Sequence, residues 1–444
     1  IIIFCMHLIN YISVLFLMVS SSCTQTKLIK TEPPEWTKTA AIYEIMPKQF
    51  TPQHNLKGIT QELARLRNQY VSAISILPIF TTLDINNAYN PGDPYACSEF
   101  LTIDPALGTD HDFKTLIDSA HHFNIKVLLE FNLTYTTPNH PWRKEYPEFY
   151  KSSQAKNDTA FNQDYIRFNL EHKTLQKKLI HILEHWMKDF PLDGFVLMNA
   201  DQFPESFLNL LGSKINSKKF YLVSGSNTPE FVERGYFDSY FNYDLYHLFI
   251  KMVDNTCTSQ DFKSLMEINE KATFKNASIL FNQNALLNNK DGTETQRFYG
   301  FYKLCSVLSI LTGGIPMIMN GQEEPMFDRI NPYSNQAIVF NKFFSRDFFR
   351  SLFIHRLDNP AIQSIQDNLP VIISDATHVL AFERKHGEAS IVVMANLTNQ
   401  VQSFTLKNDY IQRLEFFTRA LTNFEKNKSY TLNPYQYIVL TNIK

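Results

Sequence analysis

The sequence predicts a (β/α)8 barrel with a small insertion after its third strand and a C-terminal all-β, sandwich-like domain. Three observations carry that reading. Between residues 42 and 319, eight short apolar runs of strand length alternate with segments of helical period. A long piece over residues 135–172, bearing Pro138, Pro141 and Pro147, breaks the rhythm after the third run. Beyond residue 358 the helical periods stop, and short alternating runs with hairpin-like links replace them.

The eight predicted barrel strands are 42–46, 73–79, 126–131, 194–200, 220–224, 236–241, 278–281 and 315–319. Helical periods are clearest over 112–122 and 175–189, and a last helix is predicted over 343–357. Predicted tail strands are 370–374, 378–383, 390–396, 402–406 and 435–441. The resulting division is a leader over 1–23, a polar tether over 24–38, a barrel over 39–358 and a β domain over 359–444.

Composition narrows the function classes. With 444 residues, 44% hydrophobic and 19% charged, the chain has the makeup of a folded protein of one large and one smaller domain. A formal net charge of -2 gives no reason to expect nucleic acid as a partner. The five cysteines, Cys5, Cys23, Cys97, Cys257 and Cys305, show no regular spacing, so neither a disulfide framework nor a zinc site is expected.

The first 19 residues are almost uncharged and apolar, and Ser20-Ser21-Ser22-Cys23 follows. Small residues before a cysteine resemble a bacterial lipoprotein processing site, which implies Cys23 as the lipid-bearing residue. A plain signal peptide and an uncleaved anchor helix are the alternatives. All three place the folded part outside the cytoplasm: lipid-anchored to a bacterial (outer) membrane, or else secreted or periplasmic.

The stretch Asp193-Gly194-Phe195-Val196-Leu197-Met198-Asn199-Ala200 reads as a turn feeding a strand with two apolar faces, as a strand covered on both sides requires. It resembles the fourth barrel strand of the alpha-amylase family (glycoside hydrolase family 13), whose pattern is Asp-Gly-Phe-Arg-x-Asp-x-Ala. Three further stretches resemble that family in order and spacing. They are Ile42-Tyr43-Glu44-Ile45, the loop Asn90-Pro91-Gly92-Asp93-Pro94-Tyr95 with Gly108-Thr109, and Gly314-Ile315-Pro316-Met317-Ile318-Met319-Asn320-Gly321-Gln322-Glu323-Glu324.

The resemblance implies where catalytic groups should stand, and this chain has replaced them. Val196 stands for the family's Arg and Met198 for its nucleophilic Asp. Gly225, or else its neighbour Ser224, stands for the acid/base Glu, and Asn284, in Asn282-Gln283-Asn284, for the transition-state Asp. In Glu130-Phe131-Asn132-Leu133-Thr134-Tyr135, Thr134 replaces an Asn that usually binds calcium and Tyr135 replaces a sugar-contacting His. Retaining hydrolysis needs a carboxylate nucleophile and a carboxylic proton donor. A thioether, an amide and a bare glycine supply neither.

What remains at the predicted strand ends is rich in amides and hydroxyls. Tyr95, Tyr135, Gln283 and Asn284 are therefore the candidate sugar-binding residues, with Tyr95 matching the family's stacking aromatic. Asp201 reads as a turn cap, Glu130 as a structural hydrogen-bonding group, and Glu323 and Glu324 as loop-fixing. The run 142–150, with Trp142, reads as packing of the excursion. No cofactor is expected, and the family's calcium site is in doubt. The expected function is a catalytically inactive relative that binds α-glucan or assists glycan uptake at a bacterial surface. The alternatives are an interaction subunit with a membrane-protein partner, and an active glycosidase using Asp201, Glu230 or Glu323.

Overall fold

The computed structural model describes residues 32–82, 94–151, 165–215, 220–271, 277–279, 294–324, 336–340, 345–363 and 369–443. In chain order its first strands are β1 (Ile42–Ile45), β2 (Ala73–Ile76), β3 (Lys126–Asn132), β4 (Tyr135–Thr136) and β5 (Ile166–Arg167). There follow β6 (Gly194–Met198), β7 (Tyr221–Gly225), β8 (Ser239–Tyr240), β9 (Ala277–Ile279) and β10 (Ile315–Met319). Eight of these form one sheet in the order β8-β7-β6-β3-β2-β1-β10-β9, with every neighbouring pair parallel. The two end strands, β8 and β9, lie against each other, as closure into a barrel requires. β4 and β5 pair antiparallel as a ribbon belonging to the insertion.

Side-chain alternation sorts the strands as the sequence suggests. Val196 and Met198 face the barrel interior with Ile42, Leu128, Val223 and Met317. Phe195 and Leu197 face the surrounding helices, where Phe195 meets Phe131 edge-on at 5.1 Å. The helix Lys173–Asp189 buries Leu175, Leu179, Ile182, Leu183 and Trp186 on one stripe, and its N-cap His172 accepts from Leu175 N.

Some predicted bounds shift for local reasons. The second strand stops at Ile76 instead of 79 because Pro78 can donate no ladder hydrogen bond. The sixth shrinks from 236–241 to Ser239–Tyr240, following Gly235 at φ 79 and an Asp238 carboxylate that accepts from Leu222 N. The seventh begins at Ala277, and residues 280 and 281 of its predicted span lie outside the described residues.

The base of β6 explains its Asp-Gly pair. The Asp193 carboxylate accepts from His121 Nε2 at 2.7 Å, Lys126 Nζ at 2.8 Å and Val127 N at 2.9 Å. A Cβ on Gly194 would stand 2.1 Å from Tyr221 O, so no larger residue fits between the strands. Nearby, the turn Glu35–Lys38 brings Trp36 edge-on to Tyr221 at 5.3 Å.

The tail strands are β11 (Val371–Ile372), β12 (Val379–His386), β13 (Ala389–Asn396), β14 (Gln402–Phe404), β15 (Tyr410–Glu415), β16 (Leu421–Phe424), β17 (Tyr430–Leu432) and β18 (Tyr437–Thr441). Six form an antiparallel sheet in the order β11-β12-β13-β18-β15-β16, and β14 pairs with β17. The sequence reading missed β15, β16 and β17. A register shift between Tyr410 and Arg413, with Gln412 at φ 52, breaks the period-2 pattern that would have marked the first.

Two buried arginines join the barrel to this domain. Arg356, on the helix Arg346–Asp358, donates to Ala40 O, Lys38 O and Ile362 O. Arg384, on β12, donates to Leu311 O, Ile362 O and Gln363 O. Burial, and next the charge of Arg384, press the Arg356 pKa downward. The carbonyl oxygens around both guanidinium groups make that burial tolerable.

Candidate functional site

Barrel sites form at the C-terminal ends of the strands. Here Asn132, Met198 and Gly225 stand side by side at that end, because Asn132 is register partner to Met198 and Met198 to Gly225. Partners in parallel strands point to the same face, so all three look into the barrel. A Cβ added to Gly225 would lie 2.3 Å from Met198 Sδ and 2.9 Å from Met198 Cα. The Met198 side chain thus fills the room in which any side chain at 225 would begin. The two replacements fit each other, and Val196 lies buried one pleat below.

Beneath them sits a feature that sequence reasoning missed. Glu44 on β1 and Glu130 on β3 are both buried and close enough to bias each other's ionisation. Ser75 Oγ donates to Glu130 Oε1 at 2.7 Å, and the Tyr95 hydroxyl donates to Oε2 at 3.0 Å. Burial, then the charge of Glu130, pushes Glu44 well above the usual carboxylate range. Burial raises Glu130 too, against the pull of its donors Ser75 and Tyr95 and of Glu44. Both carboxyls are therefore biased toward their protonated forms. The available signal was a lone acid at the inward position of the all-buried strand Ile42–Ile45.

Around the mouth runs an arc of polar and aromatic side chains. Tyr135 on β4 packs against Tyr165 with ring centroids 4.4 Å apart and planes at 31°. Arg167 on β5 lies over the Tyr165 ring and donates to Gln202 Oε1 at 3.2 Å. Ser226 Oγ donates to Asp201 Oδ1 at 2.5 Å, and Asn227 Nδ2 donates to Asp244 Oδ2 at 2.9 Å. Tyr243 joins this arc to the buried pair. Its hydroxyl is raised above its ordinary range by burial first, then by the charges of Glu44, Glu130 and Asp201.

Several predicted residues take unexpected positions. Tyr95, expected to cover a sugar face, turns its hydroxyl inward onto Glu130 and is only 6% exposed. Tyr135 is 9% exposed and presents itself through its stack with Tyr165. Asp201, read as a turn cap, instead accepts from Ser226 across to the next strand's loop. Glu323 is held by the Tyr43 hydroxyl at 2.6 Å and Arg65 Nη1 at 2.9 Å, which fits its loop-fixing role. Glu230 is exposed on the short helix Pro229–Glu233. Trp142 packs among Phe149, Phe168 and His140. Gln283, Asn284 and Cys23 lie outside the described residues.

Thr134, at the position where the resemblance implied a calcium-binding Asn, is engaged within its own strand end. Thr134 spends both its backbone N–H and its hydroxyl on Asn132 Oδ1, at 3.0 and 2.7 Å. Among the described residues, no three His, Cys, Asp or Glu side chains gather where they could hold a metal ion.

Residues 44–164 match the family model "Alpha amylase, catalytic domain". The chain is 24% identical over 437 residues to alpha-amylase 2 of Dictyoglomus thermophilum, a match covering 85% of this chain and 73% of that protein. It is 26% identical over 223 residues to the trehalose-6-phosphate hydrolase of Bacillus subtilis, covering 40% of this chain and 39% of that one. The crystal structure of a noncanonic maltogenic alpha-amylase from Thermotoga neapolitana superposes with a TM-score of 0.76 at 18% identity, covering 91% of this chain and 98% of the other. At these identities the superposition shows a shared fold, a barrel followed by a β domain.

Proposed function

We propose that this alpha-amylase-type protein is catalytically silent and binds α-glucan, or assists glycan uptake, at a bacterial cell surface. The observation that carries the silent half is the seating of Met198 against Gly225. A nucleophile and a proton donor would each need a carboxyl there, and the thioether occupies the space of one while excluding the other. Losing a general acid alone removes about 10²–10⁴-fold in rate. The carboxyls that remain nearby are buried or engaged: Glu44 is buried, Glu130 is held by Ser75 and Tyr95, and Glu323 by Arg65 and Tyr43.

The binding half is supported by the arc from Tyr135 and Tyr165 through Gln202, Asp201 and Ser226 to Asn227 and Asp244. Aromatic faces with flanking amides and carboxylates are the groups that hold neutral polyols. Surface attachment rests on the N-terminal sequence ending in Cys23, which lies outside the described residues. Among the described residues no helix is long and apolar enough to cross a membrane.

Calorimetric titration with maltoheptaose, alongside a chromogenic α-glucoside assay, tests the proposal. Saturable heat without colour release is the expected pair of results. Steady product release would move the reading to an active glycosidase built on Asp201, and absence of heat with any α-glucan would favour an interaction subunit. Mass spectrometry of the mature N-terminus tests attachment. An acylated Cys23 is expected, and an intact leader would contradict it.

A further inference from the structure

Asn132 has a side chain that is only half used. Its Oδ1 accepts both the Thr134 backbone N–H and the Thr134 hydroxyl. A backbone N–H can only donate, so this contact settles which end of the amide is oxygen. The other end, Nδ2, is then fixed in direction, and among the described residues it meets no acceptor although Asn132 is only 2% exposed. Buried amide N–H groups are rarely left without a partner. This one stands at the mouth, on the inward face of β3, as register neighbour of Met198.

We infer that Asn132 Nδ2 is a specificity-determining donor that receives a neutral oxygen of the bound sugar, a hydroxyl or ring oxygen of a hexose unit. The assignment rests on the α-glucan reading above and adds to it the residue that fixes the sugar beside Met198. Charge selects the ligand class. The rim carries Asp201 as well as Arg167, so it offers a phosphate or carboxylate ligand no excess of positive charge. A neutral polyol meets an amide donor in a place shielded from water, where a hydrogen bond counts for more than at the surface.

Two substitutions isolate the donor. Asn132→Asp keeps an acceptor for Thr134 and replaces Nδ2 by oxygen. Asn132→Ser keeps a hydroxyl able to accept from the backbone two residues on, and removes the amide altogether. Calorimetry with maltoheptaose should give affinities at least about 10-fold weaker than wild type for both, with cooperative melting retained. If N132D does not fold, N132S carries the measurement. A folded variant that binds as tightly as wild type overturns the assignment and leaves the glucan reading standing. A wild-type chain that binds no α-glucan overturns both, so the two failures are distinct. Loss of melting temperature without loss of affinity would mark Asn132 as a purely structural group and likewise end the assignment.

Discussion

The two ends of β6 follow different rules. At its base, Asp193 has three donors, and Gly194 is required by the approach of Tyr221 O. At its mouth, Met198 stands where the resembled pattern has an acid, beside Asn132, whose Nδ2 meets no acceptor among the described residues, and the bare Gly225. The base is dictated by the fold, since strand entry needs a turn, a close approach and satisfied polar groups. No packing requirement dictates an acid at the mouth. The barrel can therefore persist whatever residues stand at its mouth, because different residues of one strand serve fold and site.

That contrast can be broken from either side. The largest effect is expected at the floor. Arg356→Met removes the donor to Ala40 O and Lys38 O, leaves Ile362 O with Arg384 alone, and should cost about 3 kcal/mol in denaturant unfolding. At the mouth, Gly225→Glu should destabilise by about 2–4 kcal/mol through overpacking and restore no hydrolysis. Met198→Ala should relieve part of that cost. A double-mutant coupling below about 0.5 kcal/mol would show that the two positions do not compete for one space.

Two carboxyl sites should respond oppositely to pH. Burial opposes ionisation of Asp193, but its donors His121, Lys126 and Val127 outweigh it and hold the group below its ordinary 3.8. Its stabilisation is full above that value and is lost as pH falls through the folded value. Asp193→Asn should cost about 2 kcal/mol at neutral pH and flatten the acid limb of the stability profile. Glu44 is raised instead, so the native state holds a proton that the unfolded chain releases above about 4.5. Its contribution is greatest below that value and falls as pH rises through the folded one. Glu44→Gln should remove this alkaline slope and, as the smallest change, gain about 1 kcal/mol at pH 8. A wild-type profile that is flat over this range would contradict the buried pair.

Much of the fold was legible because it rests on period and spacing. The Asp193-Gly194 turn, the two apolar faces of β6 and the strand Ile315–Met319 all follow from local pattern. β15 escaped because its bulge breaks the alternation that marks a strand. The site was legible only in part. Motif positions locate Met198 and Gly225, but their mutual fit needs the register between β6 and β7. Glu44 and Glu130 are 86 residues apart in sequence and meet only because β1 and β3 flank β2 in one closed sheet. Tyr165 becomes a rim residue only through the pairing of β4 with β5.

The central claim, a mouth that holds α-glucan and leaves it intact, is tested most directly by nuclear magnetic resonance of maltoheptaose incubated with the full chain. The account predicts saturation transfer from protein to the glucose ring protons, with reducing-end anomeric signals unchanged after a day. Growth of reducing-end signals, or no transfer at any sugar concentration, would contradict it.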